Sequence, residues 1–288
     1  MTDRRNVSRA VLEDRAKFIR TETVRLSRIA GAGHYSSTFS CAEILATLYY
    51  RQMKIEPGRP NWEARDRFIM SKGHAAIGLY PVLADLGFFD PSDLDTYTRF
   101  GSNFGDHPDM KKVRGLDFSS GSLGHGLSVG LGMALAARVQ KQEYRVYVML
   151  GDGELSEGQI WEAAMSAGHH GTQNLVALVD RNGLCIDGHT EDINSIEPIH
   201  KRFAAFGWDV QRIDGHDLDA LTAAFDALPD GRNGRPQAII CDTVKGRGVK
   251  RMEMSLDWHV GNLVGEDYDE VMAELEAGLK PYVPEPAE

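Results

Sequence analysis

Five short apolar runs punctuate the chain, and stretches of helical spacing fall between them. The runs are Arg67–Met70, Arg145–Leu150, Asn174–Val179, Trp208–Ile213 and Ala238–Cys241. Each is too short for a helix and is rich in β-branched or aromatic residues, which is the pattern of a strand buried on both faces. Helical spacing is read around 75–87, 124–141, 158–170 and 217–228. Strands that alternate with helices in this way predict an α/β fold, a parallel sheet with helices on both faces.

Before the first strand, residues 7–30 carry apolar positions at helical spacing, and Gly31-Ala32-Gly33 breaks the run. Ser40 with Glu43 three residues on has the form of a capping box, opening a helix through Ile44, Leu45, Leu48 and Tyr49. No internal repeat and no Pro/Gly-rich linker divides the chain. One domain is therefore expected over residues 1–280, with the Pro/Glu-rich segment 281–288 as a loose tail.

Composition excludes several classes. Hydrophobic residues are 42% and charged residues 26% of 288, so the chain is not of a disordered type. Its formal charge of −10 disfavours nucleic-acid binding, which needs a cationic face. Cys41, Cys185 and Cys241 fit no metal or redox spacing and point to a reducing compartment. No apolar run approaches a membrane span and the N-terminus has no signal core, so cytoplasm is the expected location.

The chemistry is carried where strands end. The run 145–150 stops at Gly151-Asp152-Gly153, and the run from 174 leads to Asp180-Arg181-Asn182-Gly183. In open α/β sheets ligands lie beyond the carboxyl ends of strands. If the two strands are neighbours, Asp152 and Asn182 meet around a hard cation that wants oxygen ligands, Mg²⁺ or Ca²⁺. Gly151 and Gly153 let the backbone approach a phosphate, and a following helix N-terminus favours an anion. A diphosphate bridged by the metal is the natural ligand. Glu154, next in line, is either a cofactor contact or a solvated helix start.

Two blander patterns compete for attention. Gly126-Leu127-Ser128-Val129-Gly130 fits the nucleophile elbow of hydrolases, but a polar loop precedes it where a buried strand is required. A helix packing closely through small residues is the better reading. His169, His170, His189, His200 and His216 read as structural, and His125 is left open.

Gly151-Asp152-Gly153, then 28 residues, then Asn182 resembles the metal motif of thiamine-diphosphate enzymes, and the wider string from Gly151 to Gly188 resembles transketolase. Further pieces agree in order: Ala32-Gly33-His34, Ser71-Lys72-Gly73-His74, Gly105-Asp106-His107-Pro108, Gly121-Ser122-Leu123-Gly124 and Trp258-His259. The likeness spans roughly residues 8–262. It implies the diphosphate-binding domain of the thiamine-diphosphate fold. It implies that Asp152, Asn182 and the Leu184 carbonyl hold the metal, and that His74, Gly153 and His259 lie against the diphosphate. Leu123 and Ile186 would pack on the thiazolium and the Gly121 backbone would meet the aminopyrimidine. His34 and His107, with His74 and His259, would bind sugar hydroxyls or move protons above the reactive carbon. Glu157 resembles the acidic residue that touches a second, paired chain. The sequence departs from the family at His125, Tyr35, Val260 and Arg181.

Complete transketolases have three domains, and this chain ends about where the first would end. The resemblance therefore implies the N-terminal subunit of a two-chain enzyme. Its partner would carry the pyrimidine-binding and C-terminal domains, including the glutamate that activates the cofactor. It would transfer a two-carbon ketol unit between sugars, phosphorylated ones foremost, be inactive alone, self-associate and form a heterotetramer. The alternatives are a specialised transketolase-like subunit, a 2-oxo-acid dehydrogenase α-type subunit, or a non-catalytic cofactor-binding scaffold.

Overall fold

All five strands form and all run parallel in the computed structural model, which describes residues 6–230 and 233–279. They are β1 (Arg67–Met70), β2 (Val146–Gly151), β3 (Leu175–Arg181), β4 (Asp209–Asp214) and β5 (Gln237–Asp242), in the order β1-β2-β3-β5-β4. The helices are α1 (Arg9–Ala30), α2 (Tyr35–Phe39), α3 (Ala42–Thr47), α4 (Ala76–Asp85), α5 (Gly126–Val139), α6 (Gly158–His169), α7 (Thr190–Ile193), α8 (Ile199–Ala205), α9 (Leu218–Asp226) and α10 (Glu266–Glu276). The expected tail at 281–288 lies outside the described residues.

Alternation along the strands divides the core in two. Phe68, Met70, Tyr147, Met149, Val176 and Leu178 pack with residues of α1, α3, α4 and α9. Ile69, Val146, Val148, Leu150, Ala177 and Val179 pack with α5, α6 and α8 on the other face. Each buried aliphatic side chain contributes roughly 1.5–3 kcal/mol, which is why these runs hold the sheet's centre. The edge strand β4 is partly buried over Asp209–Gln211, exposes Arg212 and Asp214, and so carries charge at three positions. Charge of this kind blunts a sheet edge against further pairing.

The string Gly126–Gly130 opens α5 and is no elbow. A Cβ at Gly126 would lie 2.4 Å from Ser71 Cβ, and one at Gly130 would lie 2.6 Å from Val148 Cγ2. The glycines let α5 sit down on β1 and β2. Ser128 Oγ donates to the His125 carbonyl at 3.0 Å.

The capping box at Ser40 does not form. Cys41 occupies the N-cap of α3, and the expected helix is divided into α2, α3 and a π-helical turn over Leu48–Gln52. Ser40 Oγ donates to Asp180 Oδ2 at 2.6 Å, while Glu43 accepts from Arg20 at 2.6 and 2.7 Å. Glu43 also meets His216 Nδ1 at 2.9 Å. Buried ions need partners more than a helix end needs a cap, because an unpaired charge in the interior costs several kcal/mol, against about 1 for a cap.

Candidate cofactor and sugar site

Gly151 and Asp180 are in register across β2 and β3. The two strands therefore deliver Asp152 and Asn182 side by side at their carboxyl ends. Asp152 is buried; its Oδ2 accepts from Arg181 Nη1 and from Gly183 N–H, both at 2.7 Å, and Oδ1 from Gly153 N–H at 2.9 Å. Burial raises its pKa and Arg181 pulls it back, with a net rise. Asn182 Nδ2 donates to Asp180 Oδ2 at 3.1 Å, which fixes the amide and leaves Oδ1 facing the following loop, where Leu184 N–H reaches it at 3.2 Å.

A cavity of about 460 Å³ opens above these strand ends. Its wall includes every residue singled out from the sequence for metal, cofactor or sugar: His34, His74, His107, Gly121, Leu123, Gly151, Asp152, Gly153, Glu154, Asn182, Leu184, Ile186 and His259. Leu123 is half-buried and Ile186 is 63% exposed, so the wall presents apolar side chains to the cavity and to solvent. Glu157, at the N-cap of α6, is exposed, and so is His125, which lies outside the wall.

At one end of the cavity the four histidines converge. Ring centroids of His34 lie 5.2 Å from His74, 5.7 Å from His259 and 6.5 Å from His107, and His74 lies 5.7 Å from His259. Distant segments are tied to make this cluster. Gly33 and Gly261 pair through two backbone hydrogen bonds of 2.9 and 3.1 Å, which sets His259 beside His34 with Val260 looped between. Tyr35 adds a tie, its hydroxyl accepting from Leu263 N–H at 3.2 Å and from Ser27 Oγ at 2.6 Å. Burial, then the positive charge of Lys72, holds His74 well below the usual imidazole range. Burial, then Lys245, lowers His259 to about 4. Both are neutral imidazoles at neutral pH, each with one donor and one acceptor nitrogen.

Two buried cations escaped the sequence reading. Lys72, two residues past the end of β1, donates to the Ser37 carbonyl at 2.6 Å and to Asp180 Oδ2 at 2.5 Å. Burial works against its charge, but Asp180 outweighs burial and raises its pKa. Lys245, after β5, donates from Nζ to the Leu184 carbonyl at 2.8 Å. Burial, reinforced by Lys72, lowers it to about 8. A lysine two or three residues past the end of an apolar strand was the available signal. Both line the cavity and place ammonium groups beside the wall's carboxylates Asp152, Glu154 and Asp187.

Glu154 is no solvated helix start. It is buried, within a 3₁₀ turn over Gly153–Ser156 that precedes α6. Oε1 accepts from Gly124 N–H at 2.9 Å and from the Ser71 hydroxyl; Oε2 accepts from Gly151 N–H at 3.1 Å. The carboxylate ties three loops together, so its oxygens are already engaged.

The residues fit a metal and a diphosphate. Asp152, Asn182 and the Leu184 carbonyl are an all-oxygen set of the kind hard cations prefer, and an ammonium already sits on the carbonyl. His34 Nδ1, Ser37 Oγ and His259 Nδ1 are buried without an aligned hydrogen-bond partner. At Gly121 and Gly151 a Cβ would meet protein only at ordinary distances of 3.5 and 3.7 Å. Internal packing does not demand glycine there, and both positions face the cavity. At Gly153 the protein itself is close, with Cys185 Cβ 3.0 Å away.

The profile of the transketolase thiamine diphosphate binding domain matches residues 12–284. The 6-deoxy-6-sulfo-D-fructose transketolase subunit SqwG of a Clostridium species is 42% identical, over 92% of this chain and 96% of that protein. One subunit of the apulose-4-phosphate transketolase of Phocaeicola vulgatus is 41% identical, over 92% of this chain and 93% of that protein. Among solved structures, the transketolase of Campylobacter jejuni superposes with a TM-score of 0.87 at 28% identity. There the match covers 94% of this chain but 43% of the other, so the chain spans less than half of that longer protein.

Proposed function

The chain belongs to the transketolase family, in its thiamine diphosphate binding domain, and from this premise we propose that it is the cofactor-binding subunit of a two-chain transketolase. The observation that carries the proposal is the single cavity in which Asp152, Asn182 and Leu184 lie at the strand ends and four histidines lie together at one end. Near-complete coverage of two relatives named as subunits supports the two-chain form. The partner is a chain with the pyrimidine-binding and C-terminal domains, and two copies of each assemble over an obligate-type area above ~2,000 Å². The free Cys41, Cys185 and Cys241 suit a reducing compartment, and we place the enzyme in the cytoplasm. No described helix is long and apolar enough to cross a membrane.

When bound, thiamine diphosphate supplies the nucleophilic carbon that carries a two-carbon ketol unit from a ketose to an aldose. This chain's residues hold and surround it. Asp152 and the oxygens of Asn182 and Leu184 hold Mg²⁺ or Ca²⁺ against the diphosphate, and Lys72 and Lys245 offset its charge. His74, Gly151, Gly153 and His259 border the phosphates, Leu123 and Ile186 exclude water from the rings, and the Gly121 backbone meets the aminopyrimidine. His34, His74, His107 and His259 bind the hydroxyls of the sugar, a phosphorylated one foremost, and move protons at their ring nitrogens. The dehydrogenase α-type and scaffold alternatives gain no support from relatives named as transketolase subunits. Calorimetric titration with thiamine diphosphate, with Mg²⁺ and then with EDTA, tests the binding role. Metal-dependent binding is expected; affinity indifferent to EDTA contradicts it.

A further inference from the structure

One carboxylate approaches the histidine cluster from outside the cavity wall. Asp106 is absent from that wall, yet its Oδ1 lies 3.4 Å from His34 Nδ1 and its Oδ2 lies 3.5 Å from His107 Nδ1. Tyr97, fully buried, donates its hydroxyl to Oδ1 at 3.4 Å, and Tyr80 holds the neighbouring Gly105 carbonyl at 2.9 Å. The loop that carries Asp106 is thus pinned by two tyrosines. The contact with His34 keeps the Asp106 carboxyl below its ordinary pKa, against the opposing effect of burial.

His34 Nδ1 is buried and has no aligned partner, so it needs an acceptor or a proton donor close at hand. Its aromatic neighbours His74 and His259 are neutral, and the nearby Lys72 and Lys245 only donate. Asp106 is the charged acceptor within reach. A carboxylate at one imidazole nitrogen fixes the proton there and so decides what the other nitrogen can do.

We propose that Asp106 is a positioning residue for ketol transfer: it holds the Nδ1–H tautomer of His34, and supports His107 at the same nitrogen. Nε2 of His34 is then the bare nitrogen on the cavity side, ready to accept a hydrogen bond or a proton from a sugar hydroxyl. The inference rests on the transketolase reading of the cavity.

The test uses histidine labelled with ¹⁵N and long-range proton–nitrogen correlation, read on the chain alone and on the complex with its partner. A His34→Gln sample identifies the His34 signals. The wild type is expected to carry the proton on Nδ1. Asp106→Ala is expected to move it to Nε2 and to lower kcat/KM for a ketose donor about tenfold in the complex. Asp106→Asn, which keeps an acceptor oxygen, is expected to retain the Nδ1–H signature and stay within about threefold of wild type. Thiamine diphosphate affinity should be the same in all three. A His34 that keeps its Nδ1 proton in Asp106→Ala overturns the proposal, as does wild-type kcat/KM in that variant. A wild-type complex that transfers no ketol unit overturns the proposed function instead, and the nitrogen signals of the chain still decide the tautomer.

Discussion

Arg181 Nη1 lies 2.7 Å from Oδ2 of Asp152, joining two residues that leave the ends of neighbouring strands. The same guanidinium reaches Glu197 at 3.1 Å and Glu191 at 3.6 Å. It therefore balances the buried carboxylate proposed as a metal ligand, and leaves Oδ1 with only the Gly153 N–H. A divalent cation at Asp152 would join this arrangement rather than depend on it.

The first expectation follows from that pair. Arg181→Ala leaves Asp152 buried with backbone partners alone, so the metal-free chain should lose about 1–3 kcal/mol of stability. Saturating Mg²⁺ or Ca²⁺ should restore more stability to this variant than it adds to wild type, because the ion replaces the missing charge. Asp152→Ala should abolish metal-dependent cofactor binding, and Asn182→Ala should weaken it. Melting curves with and without metal, and calorimetric titration, read these effects. An Asp152→Ala chain with unchanged cofactor affinity would remove the metal assignment.

A second expectation separates packing from binding at two glycines. Gly151→Ala and Gly121→Ala place a methyl group where the protein offers only ordinary contacts. Both variants should fold with stability within about 1 kcal/mol of wild type. Thiamine diphosphate affinity should fall about tenfold or more, as the added Cβ enters the cavity. Loss of folding without loss of affinity in the folded fraction would count against the cradle.

A third expectation concerns acid. His259 has a folded-state pKa of about 4, below its ordinary value, so between those limits the unfolded chain binds more protons. The stabilising contribution is complete above about pH 6.5 and is lost as the pH falls toward 4. Melting temperature should decline over that window, and His259→Gln should flatten the decline. His74, depressed more strongly by burial, adds to it in the same direction. An equally steep decline in His259→Gln would mean that other groups carry it.

Much of this architecture was legible because periodicity and strand-end chemistry are local. The five apolar runs read from the sequence correspond to β1–β5, and Asp152 and Asn182 follow from strand ends that had only to be neighbours. What was hidden depends on partners far away in sequence. Ser40 and Glu43 look like a cap until Asp180 and Arg20 arrive beside them. Glu154 looks solvated until Gly124 and Ser71 close over it. Lys72, Lys245 and Asp106 act through contacts 35, 61 and 72 residues away, which no local pattern records.

The measurement that bears most directly on the central claim is ketol transfer from a labelled ketose phosphate to an aldose phosphate. It is made with the pure chain, with a partner chain carrying the pyrimidine-binding and C-terminal domains, and with the two together, all with thiamine diphosphate and Mg²⁺. Transfer by the mixture and by neither chain alone is the predicted result. Robust turnover by this chain alone, or a mixture that binds cofactor and transfers nothing, would contradict it.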